Sequence, residues 1–267
     1  MPPSKLREAR IDLDALCANL RLLGSGYRVD LAADAYGHGF RAIAETALDA
    51  GATEFTVRNE REEDALLPLA AIRDIRISVD RQINTAMSGA LYGLLPTNNP
   101  EREVARDGGD TLSHLAPVMR VSARVISVKR LKTGEPVSYG YSWRASRDTT
   151  LALVGIGYAD GISRSASNAG TAFLRGDRPI VGRIAMDVLS LDVGDDQIAI
   201  GDEAVFFGHE PRSTEAWAAA LKRPPLSVTA GIGRRVPRVY QSTSTSTSTG
   251  TGASSSPSAS ERVRSSS

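Results

Sequence analysis

The segment Ala33–Gly39, ADAYGHG, carries two kinds of group suited to an anion. Its glycines let backbone N–H groups come close to a phosphate or carboxylate, and Tyr36 adds a hydroxyl. The segment follows an apolar run that reads as a parallel strand, and α/β folds place their sites at the ends of such strands. A tight βα turn uses the same glycines, so these residues alone leave both readings open. Amine chemistry is bounded more narrowly. The chain has four lysines, Lys5, Lys129, Lys132 and Lys222, and none lies between the first two. Imine formation by a lysine is therefore excluded over that whole stretch. The single cysteine, Cys17, excludes an internal disulfide and a cysteine-rich metal site.

The elements that must hold ADAYGHG have α/β grammar. Residues 8–22 read as a short strand, ARIDL, and a helix capped by Asp12 or Asp14, with Leu13, Leu16, Leu20 and Leu23 at helical spacing. After the Ala33–Gly39 loop, residues 40–50 show a helical stripe of Ile43, Ala44, Ala47 and Leu48, stopped by Gly51. TEFTV is a strand and NEREEDALLPLA a capped acidic helix start. Residues 73–115 hold one apolar stretch, SGALYGLLP, between charged, Asn- and Pro-rich segments. From about Pro117 the grammar changes to strands rich in Val, Ile and Leu separated by turns such as TGEP, RGDR and GDDQ, an antiparallel β domain running to about residue 210. A helix over Ser213–Leu221 follows, capped by Ser213 or Thr214, and SVTAGIGRRVPRVY closes the ordered chain. The expected division is an α/β unit, a parallel sheet or barrel, over 1–115, a β domain over 116–240, and a tail over 241–267. That tail is mostly Ser and Thr, with too little apolar surface to offset its chain entropy, and reads as disordered.

The chain has 267 residues and a formal charge of +1, which gives no pull toward nucleic acid or an anionic membrane. No apolar run approaches the ~20 residues of a membrane span. The N-terminus, MPPSKLREARIDL, has no apolar segment of signal-peptide length, so the expected compartment is the cytoplasm.

Four further segments stand with ADAYGHG: SYGYSW at 138–143, GYADGISR at 157–164, VGRIAMD at 181–187 and RRVPRVY at 234–240. In this order the five resemble the motif set of the pyridoxal-phosphate-dependent alanine racemases, over most of residues 8–72 and 85–240. The resemblance implies an N-terminal (β/α) barrel with a C-terminal β domain. It implies interconversion of L- and D-alanine for cell-wall D-alanine supply, and a head-to-tail dimer whose sites join one barrel to the partner's β domain. Inverting an α-carbon needs an acid/base group on each face. In the family one is the lysine that binds the cofactor and the other a tyrosine of the second subunit. Tyr139 matches that tyrosine. Met186 matches the residue whose backbone amide meets the substrate carboxylate, Asp187 follows it in the same loop, and Tyr158 matches a tyrosine at the substrate entrance. Tyr36 matches a phosphate-contacting tyrosine.

The chain also departs from that pattern. The position of the cofactor lysine, directly before ADAYGHG, is Ala32, and a methyl group neither forms an imine nor moves a proton. A complete barrel takes roughly 250 residues, and the β domain here begins near residue 116. The middle strands are expected to be missing, with the arginine that faces the cofactor ring and its supporting histidine. Leu226 stands where the family commonly has a second phosphate-contacting tyrosine. The expectation is a racemase relative that is inactive alone and binds the cofactor weakly or not at all. The alternatives are a mixed dimer that lends Tyr139 to a full-length racemase, and a non-catalytic binding or dimerisation module.

Overall fold

In the computed structural model, which describes residues 6–24, 27–79, 89–94, 115–208 and 213–242, two sheets of different grammar share one core. Strand β1 (Arg7–Asp12) runs into helix α1 (Leu13–Leu23), where the Asp12 side chain accepts the Ala15 N–H and so satisfies an orphan donor of the first turn. Leu16 and Leu20 face the core, and so does Asn19, which is fully buried. The Asn19 amide donates to the carbonyls of Leu91 and Ala116 and accepts the Ala116 N–H. One side chain thus ties α1 to two distant stretches of chain.

The parallel unit comes next: β2 (Val29–Asp30), the turn segment α2 (Ala32–Tyr36), α3 (Phe40–Asp49), β3 (Glu54–Val57), α4 (Glu60–Ala70) and β4 (Arg76–Val79). The strands pair in parallel in the order β2-β3-β4. Helix α3 buries the four residues its spacing singles out, Ile43, Ala44, Ala47 and Leu48. Helix α4 starts at Asn59, whose side chain accepts the Glu62 N–H. Strand β4 lies in the stretch where the sequence shows no strand pattern; its four residues are exposed or half-buried, so no inward apolar alternation marks it. Among the described residues β2 and β4 are the edges of this sheet, which is a fraction of an eight-stranded barrel.

The antiparallel unit contains β5 (Met119–Leu131), β6 (Pro136–Val137), β7 (Trp143–Arg144), β8 (Thr149–Val154), β9 (Thr171–Phe173), β10 (Asp177–Val181), β11 (Leu189–Gly194) and β12 (Glu203–Phe207). These are followed by α5 (Thr214–Ala220), α6 (Pro225–Ala230) and β13 (Arg238–Gln241). The order is β12-β9-β10-β11-β8-β5, and β5 pairs with β12 as well, closing the sheet on itself. The two halves of β5 make this possible. Residues 125–131 pair with β8, whereas 119–124 pair with β12 and with β1. Closure leaves few strand edges to template aggregation. Strand β1 is antiparallel to β5 and parallel to β13, so the first strand of the chain hydrogen-bonds into the β unit rather than the parallel sheet.

The fold is therefore α/β plus β: a partial (β/α) barrel followed by an antiparallel β domain. Gln241 ends β13, and the Ser242 hydroxyl donates to Asp14. The rest of the Ser/Thr-rich tail, and most of residues 73–115, lie outside the described residues. No helix among the described residues is long and apolar enough to cross a membrane, and no group of three or more His, Cys, Asp or Glu there could hold a metal ion.

Candidate functional site

The sequence-derived candidates fall into two groups, one at the end of β2 and one on the β domain. After β2 the chain turns with left-handed geometry. Ala33, Asp34, Ala35 and Tyr36 have φ of 52°, 59°, 53° and 50°. Each L-residue held this way costs ~1–2 kcal/mol, so the surroundings must over-determine the turn. Asp34 braces it from within: its carboxylate accepts the Phe40 N–H at 2.8 Å and its carbonyl the Gly39 N–H. Arg238 braces it from outside, donating to the Gly37 carbonyl at 2.9 Å and to the carbonyls of Ile232, Gly233 and Val236. Burial pulls the Arg238 pKa down, and the charge of Asp34 works against that shift. Helix α6 packs so closely that a Cβ on Gly37, at φ 83°, would lie 2.3 Å from the Thr229 carbonyl oxygen. Strain of this kind clusters at functional sites.

Tyr36 points inward from this turn and is only 6% exposed. Its hydroxyl donates to Asp30 Oδ2 at 2.8 Å. Arg58, the residue after β3, donates to the same oxygen at 2.5 Å, and the Ala32 N–H donates to Oδ1 at 3.0 Å. Tyr92, from SGALYGLLP, donates to the Asp30 carbonyl and stacks at 4.4 Å on His38. His38 is fully buried, and desolvation pulls its pKa down to about 4. Ala32 itself is a buried methyl.

The second group sits where loops of the β domain meet. The N–H groups of Tyr158 and Ala159 bond to the carbonyls of Ala185 and Met186, and a Cβ on Gly157 would lie 2.4 Å from both of those oxygens. Only glycine allows the two loops this contact. Asp160 has no exposed side-chain surface; it accepts from Arg7 at 2.6 Å and from the Gly157 N–H, which fixes the loop that carries Tyr158. Arg235 reaches both Asp160 and Asp187, linking that loop to the Met186–Asp187 turn. Tyr139 is 47% exposed and follows Ser138, whose hydroxyl donates to the Arg183 carbonyl. Arg164 donates to the Tyr139 hydroxyl and stacks over the Tyr158 ring at 5.0 Å, while the Arg183 guanidinium lies 5.6 Å from the Tyr139 ring centroid. A phenol that accepts from a guanidinium keeps its own proton available to a third group. A cleft of about 300 Å³ opens beside Tyr139, lined by Leu151, Leu153, Lys129 and Arg183 among others.

The structure thus brings Tyr139, Tyr158, Met186 and Asp187 together and places Tyr36 with Ala32 elsewhere. Helix α6, which carries the buried Leu226, lies between the groups: its Thr229–Ala230 backbone abuts Gly37, and Gly231 abuts Gly161. Sequence reasoning missed Asp30, Arg58, Arg164, Arg183, Arg235 and Arg238. Four of these stand inside the quoted motifs, and their arginines were the available signal. Asp30 and Arg58 had none, because they stand outside those motifs and their pairing spans 28 residues.

A pyridoxal cofactor tethered as an imine would need an amine at the turn and hydroxyls for its phosphate. Ala32 offers a methyl, Leu226 no hydroxyl, and the Tyr36 hydroxyl is committed to Asp30. The other described lysines lie on β5, just after it, and after α5. The residues present do not fit the tethered group.

A partial parallel barrel joined to a closed antiparallel domain defines a two-unit barrel-and-β class. Within it, residues 118–240 match the family described as the alanine racemase C-terminal domain. The alanine racemase of Thermobifida fusca is 43% identical over 155 residues, which are 57% of this chain and 39% of that protein. That of Frankia casuarinae is 41% identical over 155 residues, 57% of this chain and 38% of that protein. The chain spans about two fifths of the length of these curated relatives. Among solved structures, the alanine racemase of Streptomyces coelicolor A3(2) superposes with a TM-score of 0.73 at 25% identity, over 89% of this chain and 98% of that one. The Bartonella henselae enzyme, solved with covalently bound pyridoxal phosphate, superposes with a TM-score of 0.70 at 20% identity over 88% and 99% of the two chains, a likeness of fold. Over residues 118–240, then, the chain is similar to the C-terminal domain of the alanine racemases.

Proposed function

We propose that this chain is a shortened member of the alanine racemase family that does not interconvert L- and D-alanine by itself. The observation that carries the reading is Ala32: a buried methyl after β2, at the start of an intact left-handed turn, where the reaction needs an amine. Proton transfer at both faces of an α-carbon takes two acid/base groups. Tyr139 offers one, with Met186, Asp187 and Tyr158 arranged beside it to receive a small amino acid; the other face has no base. The three parallel strands among the described residues, and the two-fifths span of the curated relatives, support a barrel that lacks its central strands. Pyridoxal phosphate is the family's cofactor and alanine its substrate; this chain keeps the substrate face and not the cofactor tether. The compartment proposed for it is the cytoplasm.

The test is direct. The purified chain, incubated with pyridoxal phosphate and either enantiomer of alanine, should show no lysine-adduct absorbance and no change in enantiomeric ratio by chiral chromatography. Turnover by the unaltered chain ends the proposal.

One observation favours a second reading as well. Tyr139, Tyr141, Tyr158 and Met186 are all exposed, with Tyr141 and Met186 at 64% and 53%, an apolar surface suited to another subunit. In that reading the chain forms a homodimer, or a mixed dimer in which Tyr139 serves the intact barrel of a full-length racemase. Co-expression with such a racemase followed by pull-down decides it, and absence of co-purification removes the mixed dimer.

A further inference from the structure

We propose that Asp30 is a built-in occupant of an oxyanion cradle, and that its carboxylate closes to external anions a site formed by Arg58, Tyr36 and the Ala32 N–H. The proposal deepens the reading above and rests on it in one respect, that no cofactor is tethered at this turn. The geometry stands by itself.

Three donors of different chemistry converge on one carboxylate. A guanidinium and a phenol share Oδ2 at 2.5 and 2.8 Å, and a backbone N–H takes Oδ1 at 3.0 Å. Each comes from a different place: Arg58 from the end of β3, Tyr36 from the far side of the left-handed turn, Ala32 from its start. This is the donor set by which proteins hold the carboxylate or phosphate of a ligand. It lies at the C-terminal ends of adjacent parallel strands, where α/β sheets bind their ligands. Here the anion is covalently part of the chain. Because Asp30 is buried, an external anion could enter only by displacing a carboxylate tethered two residues from the turn, whose local concentration no solute matches.

A simple structural ion pair makes a different forecast. If Asp30 only neutralises Arg58, deleting its carboxylate lowers stability whatever salt is present. If Asp30 fills a cradle, deletion leaves three aligned donors without that acceptor and room for an oxyanion, and the loss is reversed by supplying one. The shared chemistry is a small oxyanion, and two probes separate its sources. Formate matches the deleted carboxylate, and inorganic phosphate matches a phosphorylated ligand.

The experiment measures unfolding midpoints of the full chain and of Asp30→Ala and Asp30→Asn in formate, phosphate and chloride at equal ionic strength. For Asp30→Ala, formate or phosphate at ten times its dissociation constant raises the midpoint by about 3–6 °C over chloride. The unaltered chain and Asp30→Asn, in which the space is filled, respond alike to all three salts. If Asp30→Ala does not fold in chloride, refolding yield replaces the midpoint, with recovery in formate or phosphate as the expected result. The proposal is overturned if neither anion stabilises or recovers Asp30→Ala, if the unaltered chain is itself stabilised by either, or if Asp30→Asn responds as strongly as Asp30→Ala. Racemisation by the unaltered chain would instead remove the functional reading and leave the cradle standing.

Discussion

Replacing Ala33 by glycine should stabilise this protein, contrary to what the same change does in a helix. Ala33 is solvent-exposed and sits at φ 52°, ψ 47° in the left-handed turn. Its methyl makes no core contact to lose, while its Cβ carries a conformational penalty of ~1–2 kcal/mol. Glycine removes that penalty and adds ~0.5–1 kcal/mol of lost chain freedom on folding. The net expectation is a gain of about 0.5–1 kcal/mol, or roughly 1–4 °C in midpoint for a chain of this size. The sequence AADAY is a good helix former, and in a right-handed helix the same substitution would cost ~0.8–1 kcal/mol. The two geometries therefore differ in sign. Urea unfolding followed by circular dichroism resolves the difference, provided the denaturant slope is unchanged. Ala35→Gly serves as the control: Ala35 shares the strain at φ 53° but is fully buried, so losing its methyl, ~0.8 kcal/mol, offsets the relief and leaves stability near neutral. A destabilised Ala33→Gly would refute the left-handed turn and the bracing argument built on it.

Four other outcomes follow from the structure. Ala32→Lys should give no racemisation by chiral chromatography, because on the reading proposed above an amine there still lacks the central barrel strands, and the Tyr36 hydroxyl is already bound to Asp30; measurable turnover would overturn the missing-wall argument. His38, neutral in the fold down to about pH 4 because of desolvation, binds its proton in the unfolded chain already near 6.5. Its contribution is therefore full above pH 6.5 and is lost as pH falls toward 4, a total of about 3 kcal/mol. His38→Gln should flatten that part of the stability profile. Glu203 acts lower: the Arg120 guanidinium holds its pKa down to about 2, so its contribution is present above 4.5 and lost as pH falls through 2. Asn19→Ala should cost about 2–4 kcal/mol in urea unfolding, since it leaves the buried Leu91 carbonyl and the half-buried Ala116 groups without their partner; a cost under about 1 kcal/mol would show that solvent or a shifted backbone replaces it.

Much of the local structure was legible because it follows from periodicity. The α3 stripe, the Asn59 and Ser213 caps and the Val- and Ile-rich strand β5 all appear where spacing and residue type put them. Strand β4 and helix α6 were not legible. One is four residues without inward alternation, and the other is six residues opened by Pro225, too short for a helical period to show. Of the candidate site, the motif residues and the Ala32 substitution could be read directly, since each is a statement about what a side chain is. Arg164 and Arg183 lie in the quoted motifs, yet their approach to Tyr139 depends on loops 25 or more residues apart in sequence meeting in space.

By itself the amino-acid sequence determined which chemistry the barrel segment cannot supply: with no lysine from residue 6 to 128, the turn after β2 carries no lysine of its own. It also determined the succession of an α/β unit and a β unit, because burial requires period 3.6 in one and period 2 in the other. Only the tertiary structure decided how β5 closes its sheet, that β1 joins that sheet, that an alanine-rich segment winds left-handed, and that Asp30 takes up Arg58 and Tyr36. These features rest on hydrogen bonds between residues far apart in the chain, or on strain held by remote braces. Local propensity carries no term for either.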